Sequence, residues 1–188
     1  MLAQIIGGFQ LNGQFSHFSG APFSVSSNSN LLGNLAPGFG ATYAELAAPY
    51  VQVGGHNRTF GNSLISGGKP WFNPASFASV VEPTYTASQT PAQIVPPVLP
   101  NTSRNNFRGP GQSVFNASIF RAFHIYGESE FQIRFEAFNI FNHPQLNNPS
   151  TLTVPSAANI AAGNFGTFGL ITSFGNTRTV QFGGRFNF

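Results

Sequence analysis

Four stretches of this chain alternate between apolar and polar residues with a period of two, the signature of extended strands that present a different chemistry on each face. From Ile5 to Ser16, Ile5, Phe9, Leu11 and Phe15 share one face, and Gln10, Asn12, Gln14 and Ser16 the other. From Phe115 to Tyr126, Phe115, Ala117, Ile119, Phe123 and Ile125 align with Arg121, opposite Asn116, Ser118, Phe120, Ala122 and His124. From Phe131 to Phe141, Phe131, Ile133, Phe135, Ala137 and Phe141 oppose Gln132, Arg134, Glu136, Phe138 and Ile140. The last stretch, Arg178 to Phe188, sets Val180, Phe182, Phe186 and Phe188 against Thr179, Gln181, Arg185 and Asn187. Each is long enough for a tilted membrane-spanning strand, which needs ~9 to 11 residues. Aromatic and branched side chains on one face and polar ones on the other suit a wall between lipid and water.

The connections between these stretches alternate in length. A tight turn at Gly127 and Glu128 makes the second and third a hairpin. Residues 17–112 and 142–177 are long connections rich in Gly, Pro, Asn and Ser, with Pro91, Pro96, Pro97 and Pro100 forming a stiff extended piece. Long loops without regular structure fit poorly in a compact soluble domain. They are expected at the outer rim of an outer-membrane barrel, whose other rim carries short periplasmic turns. With the last strand running toward the periplasm, both long connections fall outside and the tight turn inside. The expected fold is therefore all-β, with about four antiparallel strands of a transmembrane barrel.

Composition supports a membrane wall over a soluble surface. Only 7% of the residues are charged, there is no Asp, and Phe occurs 22 times, against about 25% charge in typical soluble domains. The net charge of +3 comes from Arg58, Lys69, Arg104, Arg108, Arg121, Arg134, Arg178 and Arg185, which are scattered singly. No patch neutralises successive phosphates, so no nucleic-acid partner is expected. The absence of Cys removes disulfides and thiolate metal sites. No stretch approaches the ~20 apolar residues of a spanning helix. Met1-Leu2-Ala3-Gln4 lacks the basic start and apolar core of a signal peptide. Arg121 strains the scheme, because an Arg facing lipid costs about 2–4 kcal/mol at the midplane and about 0–1 near the interface. Its place shortly before the turn lets it reach toward headgroups.

Several motifs in order along the chain resemble the C-terminal part of TonB-dependent receptors of the Oar-like group, whose members often carry a carboxypeptidase-regulatory-like domain. They are Gly7-Gly8-Phe9-Gln10-Leu11-Asn12-Gly13, Ser19-Gly20-Ala21-Pro22-Phe23, Trp71-Phe72-Asn73-Pro74-Ala75-Ser76-Phe77, Arg104-Asn105-Asn106-Phe107-Arg108-Gly109-Pro110-Gly111, and Phe135-Glu136-Ala137-Phe138-Asn139-Ile140-Phe141-Asn142-His143-Pro144, followed by the final strand. The resemblance implies a 22-stranded barrel with an N-terminal plug, taking up a large ligand with energy from the TonB complex in the outer membrane of a Gram-negative-type bacterium. It implies as partners the outer-membrane lipid, the rest of the barrel and plug, and the barrel-assembly machinery. The last of these would read Val180, Phe182, Phe186 and Phe188 in the strand 178–188 as an assembly signal. Gln132, Arg134, Glu136, Gln181 and Arg185 would face the lumen, together with Gln10, Asn12 and Gln14. With about four strands, no plug and no TonB box, residues 1–188 are expected to be a fragment of such a receptor, inactive alone. The smallest closed barrels have eight strands.

Candidate chemistry is sparse. His17, His56, His124 and His143 are far apart and lack ligand spacing, so no metal or other cofactor is expected. Without Asp or Cys, an Asp-assisted triad or a thiol nucleophile is unavailable, and no enzyme is expected. Glu128 and Glu130 flank the turn as a solvated rim, and Arg134 with Glu136 reads as a structural charge pair. Ser66-Gly67-Gly68-Lys69 lacks the full spacing of a phosphate loop and is followed by Pro70. Asn57-Arg58-Thr59, Asn101-Thr102-Ser103 and Asn116-Ala117-Ser118 match the glycosylation pattern, by chance if the protein is bacterial as the resemblance implies. Trp71, Phe72, Phe77 and Tyr85 offer either an aromatic ligand platform or, as favoured here, loop packing. The competing reading of the whole chain is a secreted β-sandwich binding module or adhesin, which needs about seven short strands.

Overall fold

A computed structural model describes residues 7–29, 42–54, 70–81 and 99–188. His56, Asn57-Arg58-Thr59, Ser66 to Lys69, Tyr85, Pro91, Pro96 and Pro97 lie outside the described residues, as does the Ile5 start of the first stretch. The chain divides into two compact units. The first holds residues 1–19, 111–146 and 174–188, and the second residues 20–110 and 147–173.

The first unit is a four-stranded antiparallel sheet. Its strands are β1 (Gln10–Phe18), β6 (Gln112–Tyr126), β7 (Ser129–Phe138) and β10 (Thr179–Asn187), in the order β1-β6-β7-β10. All four alternating stretches are thus strands of one sheet. Their bounds shift by a few residues: the first runs to Phe18, the second starts at Gln112, and the third stops at Phe138 instead of Phe141. The third stops early because Asn139 turns into the left-handed region at φ 51°, which ends a strand.

The Gly127-Glu128 turn joins β6 to β7 where Tyr126 pairs with Ser129. Gly127 has φ 59°, as the first turn residue of a two-residue hairpin needs. An irregularity between His124 and Tyr126 adds a local kink beside it. A further pair, β8 (Gln145–Leu146) with β9 (Phe174–Gly175), completes this unit.

The second unit corrects the expectation that the long connections are irregular. Within it, β2 (Pro22–Phe23) pairs with β5 (Phe107–Arg108), and β3 (Glu45–Leu46) pairs with β4 (Phe77–Ala78). A 3-10 turn at Pro74–Ser76 is capped by Asn73, and a five-residue helix α1 (Ala157–Ala161) by Ser156. These short elements surround an aromatic core. Phe72 is fully buried and lies 5.0 Å from Phe77, 5.2 Å from Phe168 and 5.9 Å from Phe23, centroid to centroid. Edge-on and offset rings at such separations add about 0.5–1.5 kcal/mol per pair beyond their area.

Gly169 has φ 76°, and a Cβ there would sit 2.9 Å from the Phe72 ring, so the core closes only over glycine. The loops therefore carry their own hydrophobic core, which a reading based on Gly and Pro content alone does not reveal. Trp71 is 7% exposed and its indole N–H donates to Arg108 O at 2.9 Å. With Phe72 and Phe77 it belongs to this packing and not to an open ligand platform.

Candidate functional site: the two faces of the sheet

The ladder registers bring the alternating residues into rows that cross all four strands. Leu11, Ile119, Phe135 and Phe182 form one row, and Gly13, Ala117, Ala137 and Val180 form the next. Phe123, Phe131 and Phe186 make a third on the same face, nearer the turn. On the opposite face, Asn12, Ser118, Glu136 and Gln181 line up, and Ala122, Gln132 and Arg185 form another row. A slip of one residue in any strand would exchange these faces. The chemistry of the rows therefore fixes the register as firmly as the backbone hydrogen bonds do.

Among the described residues of this unit, large side chains on both faces stay open to solvent. Leu11 is 76% and Phe182 75% exposed, and both faces of β10 are open from Thr179 through Phe186. A soluble sheet with this many uncovered aromatic residues would aggregate. The sheet instead has the makings of a wall whose apolar side meets lipid. Among the described residues it is also a single sheet, without the paired inner faces of a β-sandwich.

The polar face holds a connected set of side chains. Gln181 Nε2 donates to Glu136 Oε2, and Arg134 lies 3.7 Å from Glu136 Oε1. The Arg134 guanidinium also rests 5.4 Å from the centroid of Phe120, which with Phe138 is an aromatic residue on this mostly polar side. Asn116 Nδ2 donates to Gln14 Oε1 at 3.4 Å. Asn12, Gln14, Asn116, Ser118, Glu136 and Phe138 line a shallow open depression. Carboxamides, a hydroxyl and one carboxylate there offer hydrogen bonds to water or a polar solute, with no base set beside a nucleophile.

Of the residues singled out from the sequence, Gln132, Arg134, Glu136, Gln181 and Arg185 share this face. Val180, Phe182 and Phe186 share the other. Phe188 follows β10 at 99% exposure and stacks 6.0 Å from Phe186. Among the described residues no three His, Cys, Asp or Glu cluster as metal ligands would. His17 Nδ1 instead lies 2.8 Å from Ser113 Oγ.

The sequence reading passed over the polar knot at the end of the sheet away from the turn. Asn139 is 3% exposed; its Oδ1 accepts from His143 N at 3.0 Å, and its Nδ2 donates to His143 O and Asn176 O. Its own N–H donates to Asn116 Oδ1 at 3.0 Å, so a side chain replaces the backbone acceptor the ladder would supply. Gln145, 1% exposed, accepts from Ser113 N at 2.9 Å and donates to Ser113 O at 2.7 Å. Its amide thereby mimics a strand residue paired with β6. Asn142 has φ 50° and accepts from Arg178 N at 3.2 Å. The signal was present in the run from Phe135 to Gln145, where two Asn residues three apart interrupt an apolar alternation, since Asn is among the residues that adopt positive φ most readily.

Residues 1–181 match the model of a family described as "Outer membrane beta barrel domain". Neither a curated protein nor a solved structure matches the chain.

Proposed function

This chain belongs to the outer membrane β-barrel domain family, and on that premise we propose that it contributes four wall strands and two external connections to a TonB-dependent receptor of the Oar-like group. Its place is the outer membrane, and its strands are antiparallel wall strands of that setting. The receptor class rests on the motif resemblance, and the observation that supports the wall is the row pattern together with the connections. The chain leaves the sheet after Phe18 and Phe138 and re-enters it at Gln112 and Thr179, all at the end opposite the Gly127-Glu128 turn. Barrels of the outer membrane show this asymmetry, with the long connections outside.

The edges of the sheet support a larger barrel. Among the described residues β1 and β10 each have one strand neighbour, and an unpaired backbone group facing hydrocarbon costs several kcal/mol. Closure requires further strands, since eight is the smallest number known. In this reading Asn12, Glu136, Gln181 and Arg185 face the lumen and a plug, Val180, Phe182, Phe186 and Phe188 engage the assembly machinery, and a large ligand is taken up with energy from the TonB complex.

Expression, in an outer-membrane host, of a full-length receptor that contains residues 1–188 tests the reading. The expected product fractionates with the outer membrane, shows heat-modifiable mobility, and supports ligand accumulation only when the TonB complex is active. A soluble monomer in the cytoplasm would overturn the wall assignment. Uptake that persists without the TonB complex would overturn the receptor assignment alone.

A further inference from the structure

On the polar face, the register row Asn12, Ser118 and Glu136 and the neighbouring pair Gln14 and Asn116 bound the open depression, with Phe138 beside them. Its volume of about 220 Å³ is below the about 300–1,000 Å³ of ordinary small-molecule pockets. It has room for a single small ring.

The hydrogen-bond capacity around this space is only partly spent. Asn116 is engaged at both ends of its amide, donating to Gln14 Oε1 and accepting from Asn139 N, which fixes its plane. Gln14 is held through its oxygen, leaving the N–H donors of Nε2. The Glu136 oxygens face Gln181 and Arg134, and each keeps capacity for a second donor. Asn12 and Ser118 make no side-chain hydrogen bond with other described residues.

The groups left over are neutral donors and acceptors around one carboxylate, and Arg134 lies 3.7 Å from that carboxylate. An anion would meet Glu136 and a cation Arg134, so the balance selects a neutral partner that donates and accepts at neighbouring atoms. Hydroxyls on adjacent carbons do both. A peptide fits less well, because its backbone donors and acceptors are strung along an extended chain that takes a long groove or a strand edge. Phe138, 43% exposed at the margin, adds a ring face for C–H groups. A pyranose combines a rim of hydroxyls with such a C–H face.

We propose that this depression binds one pyranose unit of a neutral saccharide, with Asn12, Gln14, Ser118 and Glu136 pairing its hydroxyls and Phe138 against its C–H face. The site rests on the reading that this face lines a barrel interior; it does not need TonB-driven uptake.

The test uses a full-length receptor that contains residues 1–188, extracted from the outer membrane into a zwitterionic detergent without a sugar headgroup. Saturation-transfer NMR is run with the methyl pyranosides of glucose, galactose, mannose and xylose as probes, and with glucuronate and N-acetylglycine methylamide for comparison. Transfer to the ring protons of at least one neutral pyranoside is expected, and less to either comparison compound. Affinity for that pyranoside should fall about two- to tenfold in Asn12→Ala and in Ser118→Ala, each of which removes a hydrogen-bonding group of the site. Gln10→Ala, on the same face but outside the depression, should bind as the wild type does, and heat-modifiable mobility reports that each variant is folded. No transfer to any neutral pyranoside, or affinity unchanged in both depression variants, overturns the site. Preference for the amide over every pyranoside points to a peptide occupant and overturns it as well. These failures in a receptor recovered from the outer membrane leave the wall assignment standing, whereas a cytoplasmic product removes both.

Discussion

Asn139 shows how much one buried amide can decide. It combines a φ of 51° with four hydrogen bonds, to Asn116, to both backbone groups of His143 and to Asn176. Replacing it with Ala strands buried polar groups at about 1–3 kcal/mol and adds the penalty of positive φ for a side chain with a Cβ. Asn139→Gly relieves only the second. Chemical unfolding followed by loss of heat-modifiable mobility is expected to rank wild type above N139G and N139G above N139A. By contrast, Arg134 is about half exposed, at 48%, beside Glu136, and exposed ion pairs contribute about 0–1 kcal/mol. Glu136→Gln, which can still accept from Gln181, is expected to change stability by less than about 1 kcal/mol in the same assay. The pairing of Arg134 with Glu136 was legible from their spacing. The role of Asn139 was not, because nothing local says that an Asn after a strand will be buried. Tyr50 adds a pH dependence in the second unit: burial raises its pKa, with the Trp71 side chain opposing in smaller measure. In the unfolded chain the phenol ionises near about 10, so the unfolded state sheds its proton first and stability falls as pH rises through and above that value. Trp71 fluorescence during urea unfolding should show this decline, and Tyr50→Phe should flatten it.

Strands are where the sequence was most transparent. Period-two alternation is a property of the backbone itself, so the four stretches located β1, β6, β7 and β10 and sorted their residues to faces before any pairing was known. What alternation cannot give is register, since each strand only specifies its own two sides. Order and register require the partner, and they emerge here as rows such as Leu11, Ile119, Phe135 and Phe182. The rows make a sharp prediction about adjacent positions in β6. Ile119→Arg puts a cation on the face assigned to lipid and is expected to cost about 2–4 kcal/mol. Ser118→Arg, one residue away and on the polar face, is expected to cost far less. Equilibrium refolding into lipid vesicles measures both, and equal penalties would contradict the assignment of faces. Short strands such as β2, β5, β8 and β9 were invisible in the sequence, because two residues carry no period and their pairing rests on distant partners such as Phe23 with Phe107.

At the scale of the whole molecule, the two units follow different rules of stabilisation. The second resembles a small soluble core, with Phe23, Phe72, Phe77, Phe107 and Phe168 excluded from solvent. The first buries almost nothing of its own and relies on its surroundings to cover Leu11, Phe15 and Phe182. The sequence disclosed the wall of the first unit clearly and the core of the second poorly, since a core assembled from Phe residues far apart in the chain has no local pattern. Trp71 is the single Trp and sits in the second unit, so its fluorescence follows that unit by itself. Phe72→Ala is expected to lower the stability it reports by about 3–5 kcal/mol, while heat-modifiable mobility stays as in the wild type. The cross-strand rows also govern how such a chain can vary by descent. Deleting or inserting one residue within β6 or β7 would turn every later side chain of that strand to the wrong medium, whereas a change of two preserves the alternation. Natural length variation should therefore be even-numbered within the wall, and a library of random insertions selected for outer-membrane assembly would recover that parity.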